Sequence, residues 1–271
     1  MSWKLSMATA AAPTVFGPLL YAGRVLEGLS VAADLGYDGI EISLRDVTEL
    51  DVAALQRELA TRRLSVSALG SGRIFLEEGL CFSDPDSEVR RAAVSRLGGH
   101  VDLGATVGAV VIVGLVRGAR PAGDGTREWA RIVGCVRECA DYAAAKSVRL
   151  VVEAINRYET LSVNTAAELL ALLEAVDRPN VGALLDTFHM NIEEVSVPAA
   201  IRAAGARLGY VHLADSNRWA PGFGHLDFPE IQWALRDIDY RGWLSAEILP
   251  RPDDFQAAAQ AWRFMSSLRR G

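Results

Sequence analysis

Eight short, β-branched apolar runs, each followed by a stretch of helical period, predict an α/β chain closed into a single (β/α)8 barrel. Three observations carry this. The runs are apolar throughout, as in parallel strands buried on both faces. They alternate with helical stretches along 271 residues, close to the roughly 250 residues that such a barrel takes. No Pro/Gly/Ser-rich linker or shift in composition divides the chain, so residues 1–271 are expected to form one domain. A doubly wound open sheet is the alternative, but no glycine-rich phosphate turn follows the first run.

The expected strands are residues 5–8, 39–42, 65–69, 109–113, 149–153, 182–186, 210–213 and 244–248. The first helix should stop at Leu35, where Gly36 follows. Trp129, Ile132, Val133, Val136, Cys139 and Ala143 recur at helical spacing before the fifth strand. Leu169, Leu170, Leu172, Leu173 and Val176 do so after it, opened by Thr165-Ala166-Ala167-Glu168 as a capping box and followed by Pro179. Two stretches, 70–86 and 214–228, read as long loops. Both leave the C-terminal ends of strands, where barrel enzymes carry their function.

Composition narrows the class. Half of the residues are hydrophobic, which is enough for a large core. A formal net charge of −6 opposes nucleic acid, which is bound largely through Lys and Arg. Cys81, Cys135 and Cys139 are odd in number and lack a disulfide framework. The pair four apart on a helix has no second Cys/His pair nearby, so it reads as small buried side chains rather than half a metal site. Pro13 interrupts the short apolar N-terminal stretch, which makes a poor signal peptide. No run approaches ~20 apolar residues, so no membrane span is expected. A cytoplasmic location follows by default.

The chemistry lies at the ends of the last four strands. Each holds one ionisable group in an apolar setting: Glu153, Asp186, His212 and Glu247. Their separations of 33, 26 and 35 residues each match one βα unit. Four successive strands therefore project a potential ligand toward one end of the barrel. A buried carboxylate is costly unless paired or bound to a metal. Three beside an imidazole carry a formal charge that one divalent ion would largely cancel. The oxygen-rich set suits Mn²⁺ first, with Mg²⁺ or Co²⁺ also possible. The plain alternative is four unrelated residues, each paired with its own Arg.

The segments 156–159 (Asn-Arg-Tyr-Glu), 186–191 (Asp-Thr-Phe-His-Met-Asn) and 212–218 (His-Leu-Ala-Asp-Ser-Asn-Arg) together resemble the xylose-isomerase-like TIM-barrel superfamily. Within it they look most like the ketose 3-epimerases. The resemblance is strongest from residue 150 onward and weaker before it, as in 35–41 (Leu-Gly-Tyr-Asp-Gly-Ile-Glu). It implies one metal held by Glu153, Asp186, His212 and Glu247. It implies an epimerase or related isomerase acting on an open-chain ketose or keto sugar acid. Glu153 and Glu247 would face opposite sides of one carbon, one removing its proton and the other returning one, through a metal-stabilised enediolate. Residues Glu159, His189 and Arg218 would bind substrate hydroxyls. A homodimer or homotetramer is implied as well.

Each role has a plainer counterpart: a solvated charge for Glu159, a satisfied core imidazole for His189, a surface residue for Arg218. Trp219 either stacks on sugar or packs. Glu41 reads as structural or as a support behind the ligands. One departure stands out. The chain reads Gly224-His225-Leu226-Asp227-Phe228 where those epimerases carry a basic residue and then Trp. The form here occurs elsewhere in the superfamily, so an aldose–ketose or keto-acid isomerase (hydroxypyruvate- or inosose-type) remains the alternative. An abasic-site DNA endonuclease of the same fold would need many more histidines than His100, His189, His212 and His225, and a non-catalytic sugar binder would have lost a ligand. Arg218 and Arg251 are the groups able to receive a carboxylate or phosphate; without a glycine-rich phosphate cradle, the substrate is expected to be an unphosphorylated small sugar.

Overall fold

The computed structural model describes residues 3–118 and 125–270. Its strands are β1 (Lys4–Ala10), β2 (Gly39–Ser43), β3 (Ser65–Gly70), β4 (Val110–Val113), β5 (Leu150–Glu153), β6 (Val181–Asp186), β7 (Leu208–His212) and β8 (Trp243–Ala246). Each runs parallel to its sequence neighbours, and β1 pairs with β8 to close the barrel. The (β/α)8 barrel expected from the sequence is the fold observed.

The helices are α1 (Val25–Leu35), α2 (Val52–Arg62), α3 (Gly72–Glu78), α4 (Ser87–Val107), α5 (Gly125–Ala145), α6 (Ala166–Val176), α7 (Thr187–Glu193), α8 (Val197–Ala204), α9 (Phe228–Asp237) and α10 (Asp254–Arg270). Gly36 ends α1 at φ 94°, a left-handed conformation that costs glycine nothing. The Thr165 hydroxyl accepts from the Glu168 N–H, and the Glu168 carboxylate accepts from the Thr165 N–H, so the capping box forms as expected. Ala68, Ile112, Val151, Leu184 and Tyr210, from five adjacent strands, form a small apolar cluster of their own. A larger apolar shell fills the space between strands and helices. No helix of the described residues is long and apolar enough to cross a membrane.

Two expectations need correction. The eighth strand was expected over 244–248 but ends at Ala246. The last β7–β8 rung joins His212 to Ser245. Beyond it the chain turns toward the loop after β7, where the Leu249 N–H donates to the Arg218 carbonyl at 2.8 Å. Glu247 therefore stands on a turn, one residue past the ladder. The stretch 70–86 was expected to be a loop but contains α3, which is only two turns long and opens on a glycine. Its anchor is Arg73, 1% exposed, which pairs with Glu49 and Glu77 at 2.7 Å each. All three cysteines are buried and free. Burial pushes the Cys135 thiol up to about 11 and Cys139 higher still, so neither is a ready thiolate ligand.

Candidate metal centre and active site

Glu153, Asp186 and His212 are the last residues of β5, β6 and β7. Asp186 and His212 are register partners across β6 and β7. Glu247 completes the group, with one ligand atom from each residue lying within 4.8 Å of every other. The His212 Nδ1 is 3.5 Å from Glu153 Oε1, 3.7 Å from Asp186 Oδ2 and 3.5 Å from Glu247 Oε2. Ligand atoms about 2.1 Å from a common ion lie about 3–4 Å apart, so these spacings fit one.

The donor atoms themselves argue for an ion. All four residues are buried. Glu153 Oε1, Asp186 Oδ2 and His212 Nδ1 have no hydrogen-bond partner. Buried polar atoms are rarely orphaned, and these three converge on one point. Arg218 Nη1 is 3.0 Å from Asp186 Oδ2 but out of line for a hydrogen bond. Three carboxylates and one imidazole form a hard, oxygen-rich donor set suited to a divalent cation. The residues fit such an ion.

Burial and the neighbouring charges pull the four groups in different directions. Burial, with Glu153 and Asp186 close by, raises Glu247 to about 8 although His212 and Arg218 oppose it. Burial also works against an ionised Glu153, yet His212 and His189 hold it below its ordinary value. Asp186 is held lower still, its burial outweighed by Arg218, His189 and His212. For His212, burial disfavours the cation, but Glu41 and Glu247 carry it well above the usual imidazole value.

Neighbouring loops position these groups. A Cβ on Gly114 would sit 3.1 Å from Glu153 Oε2, so a side chain there would press on the carboxylate. Arg117, fully buried, donates to the Glu153 carbonyl at 2.6 Å and to the Ser162 carbonyl at 2.7 Å. This ties the loop after β4 to the loop after β5. The loop after β7 wraps around Asp215, which accepts from the N–H groups of Ser216, Gly222 and Leu226 at 2.8, 2.8 and 3.2 Å. That fold carries Arg218, at φ 64°, back over the cluster, where it pairs with Glu247 and lies 4.7 Å above the Phe188 ring.

The remaining expected residues also converge. His189, on α7, places Nε2 3.6 Å from Glu153 Oε1. Asn156 donates to Glu159 Oε1 at 2.9 Å and approaches His189 Nδ1 at 2.7 Å. With the amide donating to Nδ1, the ring proton sits on Nε2, facing the cluster. Glu159, His189 and Arg218 all line a narrow cleft over the cluster, together with Phe16, Glu41, Ser71, Ile112, Leu115 and Ile155. Trp219 is not among the lining residues and packs edge-on against Phe223 at 6.3 Å. Arg251 is exposed and lies outside the lining. Sequence reasoning assigned no role to Asn156, Asp215, Gly114 or Arg117, although the first two stand inside the quoted motifs.

Comparison with known proteins agrees with this geometry. A family model described as "Xylose isomerase-like TIM barrel" matches residues 29–267. An L-ribulose 3-epimerase of Methylomonas sp. (strain DH-1) is 38% identical over 234 residues, covering 83% of this chain and 79% of its own. A D-psicose 3-epimerase of Agrobacterium fabrum is 37% identical over 226 residues, covering 78% and 74%. The structure of a D-allulose 3-epimerase from Methylomonas sp. in complex with D-allulose superposes with a TM-score of 0.84 at 30% identity, over 98% of this chain and 97% of that one. The chain thus belongs to the xylose isomerase-like TIM-barrel family.

Proposed function

We propose that this chain is a metal-dependent ketose epimerase that inverts the carbon beside the carbonyl of an open-chain ketose. The observation that carries the reading is the pair Glu153 and Glu247. They come from β5 and from the turn after β8, and converge at a cluster whose orphaned atoms call for a cation. The epimerase names of the relatives at 38% and 37% identity support the same reaction class.

When bound, the divalent ion supplies Lewis-acid polarisation of the carbonyl. The residues do the rest. One of Glu153 and Glu247 takes the proton from the carbon next to the carbonyl. The C–H electron pair moves into the adjacent C–C bond, and the carbonyl oxygen gains negative charge. The other glutamate, having first taken up a proton from solvent or from a substrate hydroxyl, delivers it to the opposite face, which inverts the centre. Arg218 and the Nε2–H of His189 donate to substrate oxygens, and Glu159, held by Asn156, accepts from a substrate hydroxyl. Leu115, Ile155 and Phe16 wall the cleft and limit water around the reacting carbon.

In this reading the ion is Mn²⁺, which the donor set suits, and the substrate is unphosphorylated. Arg218 is the one guanidinium among the described residues lining the cleft, and it already faces two carboxylates. The assembly is a homodimer or homotetramer, as the resemblance implies. Buried free thiols suit a reducing, cytoplasmic setting.

The test is to incubate Mn²⁺-loaded protein with a panel of ketoses and keto acids in D₂O and locate the exchanged hydrogen by NMR. Deuterium at C3 of a ketose, with its epimer accumulating, is the expected result. Aldose formation with exchange at C1 would make the chain an aldose–ketose isomerase instead. Exchange into no member of the panel would overturn the reading.

A further inference from the structure

Beside the cluster lies a chain of buried polar groups that has no part in the reaction above, although Glu41, one of its members, also lines the cleft. Glu41, on β2, is 1% exposed. Among the described residues no Lys or Arg pairs with it; its one ionic partner is His212. A buried carboxylate without a cationic partner is costly unless hydrogen bonds compensate. Here they do. His212 Nε2 lies 3.0 Å from Glu41 Oε2 and 3.2 Å from Oε1. The Tyr210 hydroxyl lies 3.0 Å from Glu41 Oε2 and 2.7 Å from Ser67 Oγ. The single Tyr210 proton can serve only one of these contacts, and the Ser67 hydroxyl, itself a donor, is able to supply the other. Ser6 Oγ stands 3.3 Å from the same phenol.

We propose that Glu41 and Tyr210 are positioning residues that fix the His212 ring from behind and set the affinity of the cluster for a divalent ion. This rests on the metal reading above and extends it to residues across the barrel. Tyr210 and His212 are two apart on β7, so both point inward. Their rings meet edge to face at 5.6 Å and 86°, which fixes the imidazole plane. Glu41 reaches them from β2, where its register partners on β1 and β3 are Ala8 and Ala68. Those small side chains leave room for the carboxylate to cross the interior.

The consequence is chemical. In the neutral ring that an ion requires, an acceptor-only carboxylate at Nε2 keeps the one remaining proton on that nitrogen, so the Nδ1 lone pair is the one turned toward Glu153, Asp186 and Glu247. Without it, a proton on Nδ1 would point at the ion's place. Glu41 also adds a carboxylate beside a site for a divalent cation, which favours that ion further. Removing such an outer partner of a ligating histidine typically costs about 10–100-fold in metal affinity.

The experiment titrates ion-free wild type, Glu41→Gln and Tyr210→Phe with Mn²⁺, reading free Mn²⁺ by electron paramagnetic resonance. Long-range ¹H–¹⁵N spectra of the Mg²⁺-loaded proteins report the His212 tautomer. Glu41→Gln keeps the shape and an acceptor but removes the charge, and should weaken binding about 10–100-fold. Tyr210→Phe removes one oxygen and should weaken it by about threefold or more, with a smaller Nε2–H fraction at His212. If Glu41→Gln fails to fold, Tyr210→Phe decides. Both variants binding Mn²⁺ like wild type, with an unchanged tautomer, would overturn the relay and leave the metal site standing. Wild type binding no divalent ion would overturn the underlying reading instead.

Discussion

Loading a divalent ion into the cluster at pH 7 should release about two protons. In the ion-free chain His212 is held well above the usual imidazole value: burial opposes the cation, but Glu41 and Glu247 outweigh it. Burial, followed by the nearby Glu153 and Asp186, lifts Glu247 to about 8. Both groups are raised, so their protons are present below those values and lost above them. At pH 7 His212 is therefore cationic, Glu247 neutral, and Glu153 and Asp186 ionised, a net charge of about −1. A divalent ion with all three carboxylates ionised and a neutral imidazole again gives about −1. Ion and protons are thus alternative ways of reaching one charge in the same buried space. Each released proton is worth about 1.36 kcal/mol of binding per pH unit, so affinity should climb about 100-fold per unit below pH 7. Above about 8 Glu247 has lost its proton beforehand, and the count should fall. Isothermal titration in buffers of different ionisation enthalpy measures the count directly. A buffer-independent enthalpy at pH 7, or a count unchanged between pH 7 and 9, would refute the charge argument.

Three further outcomes follow from the same geometry. Glu153→Gln and Glu247→Gln should each lower kcat by about 10²–10⁴-fold with the ion confirmed in place; near-normal kcat in either would refute the two-carboxylate mechanism. Gly114→Ala places a methyl 3.1 Å from Glu153 Oε2 and should cost up to about 10²-fold in kcat while circular dichroism and thermal unfolding stay close to wild type. On matched substrates the free ketose should be preferred over its phosphate. A kcat/KM about ten or more times higher for the phosphate, collapsing in Arg218→Ala or Arg251→Ala, would show the substrate class to be wrong.

The barrel was legible because its strands and helices carry different periods, and because the boundary signals at Gly36 and Thr165–Glu168 are local. Each works through a few neighbouring residues and needs no tertiary contact. What failed depended on distant partners. The strand β8 stops at Ala246 because the following turn bonds to the loop carrying Arg218, which is about a βα unit upstream. The short helix α3 persists because Arg73 is clamped by Glu49, a residue on the far side of β3 in sequence. Neither contact leaves a mark on the apolar pattern of its own segment.

The site divides along the same line. An ionisable residue inside an apolar strand is an energetic exception, and four exceptions at βα spacing announce themselves without any structure. The residues that aim those ligands carry no such mark. Gly114 looks like any turn glycine until the Glu153 carboxylate is found 3.1 Å from where its Cβ would be. Arg117 looks like a surface charge, yet it is buried against the Glu153 carbonyl. Asp215 looks like a loop carboxylate, yet it gathers the backbone N–H groups of Ser216, Gly222 and Leu226, and so brings Arg218 over the cluster. Ligand identity is thus a property of single positions, which a sequence displays. Ligand aim is a property of pairs far apart along the chain, and only folding reveals which pairs they are.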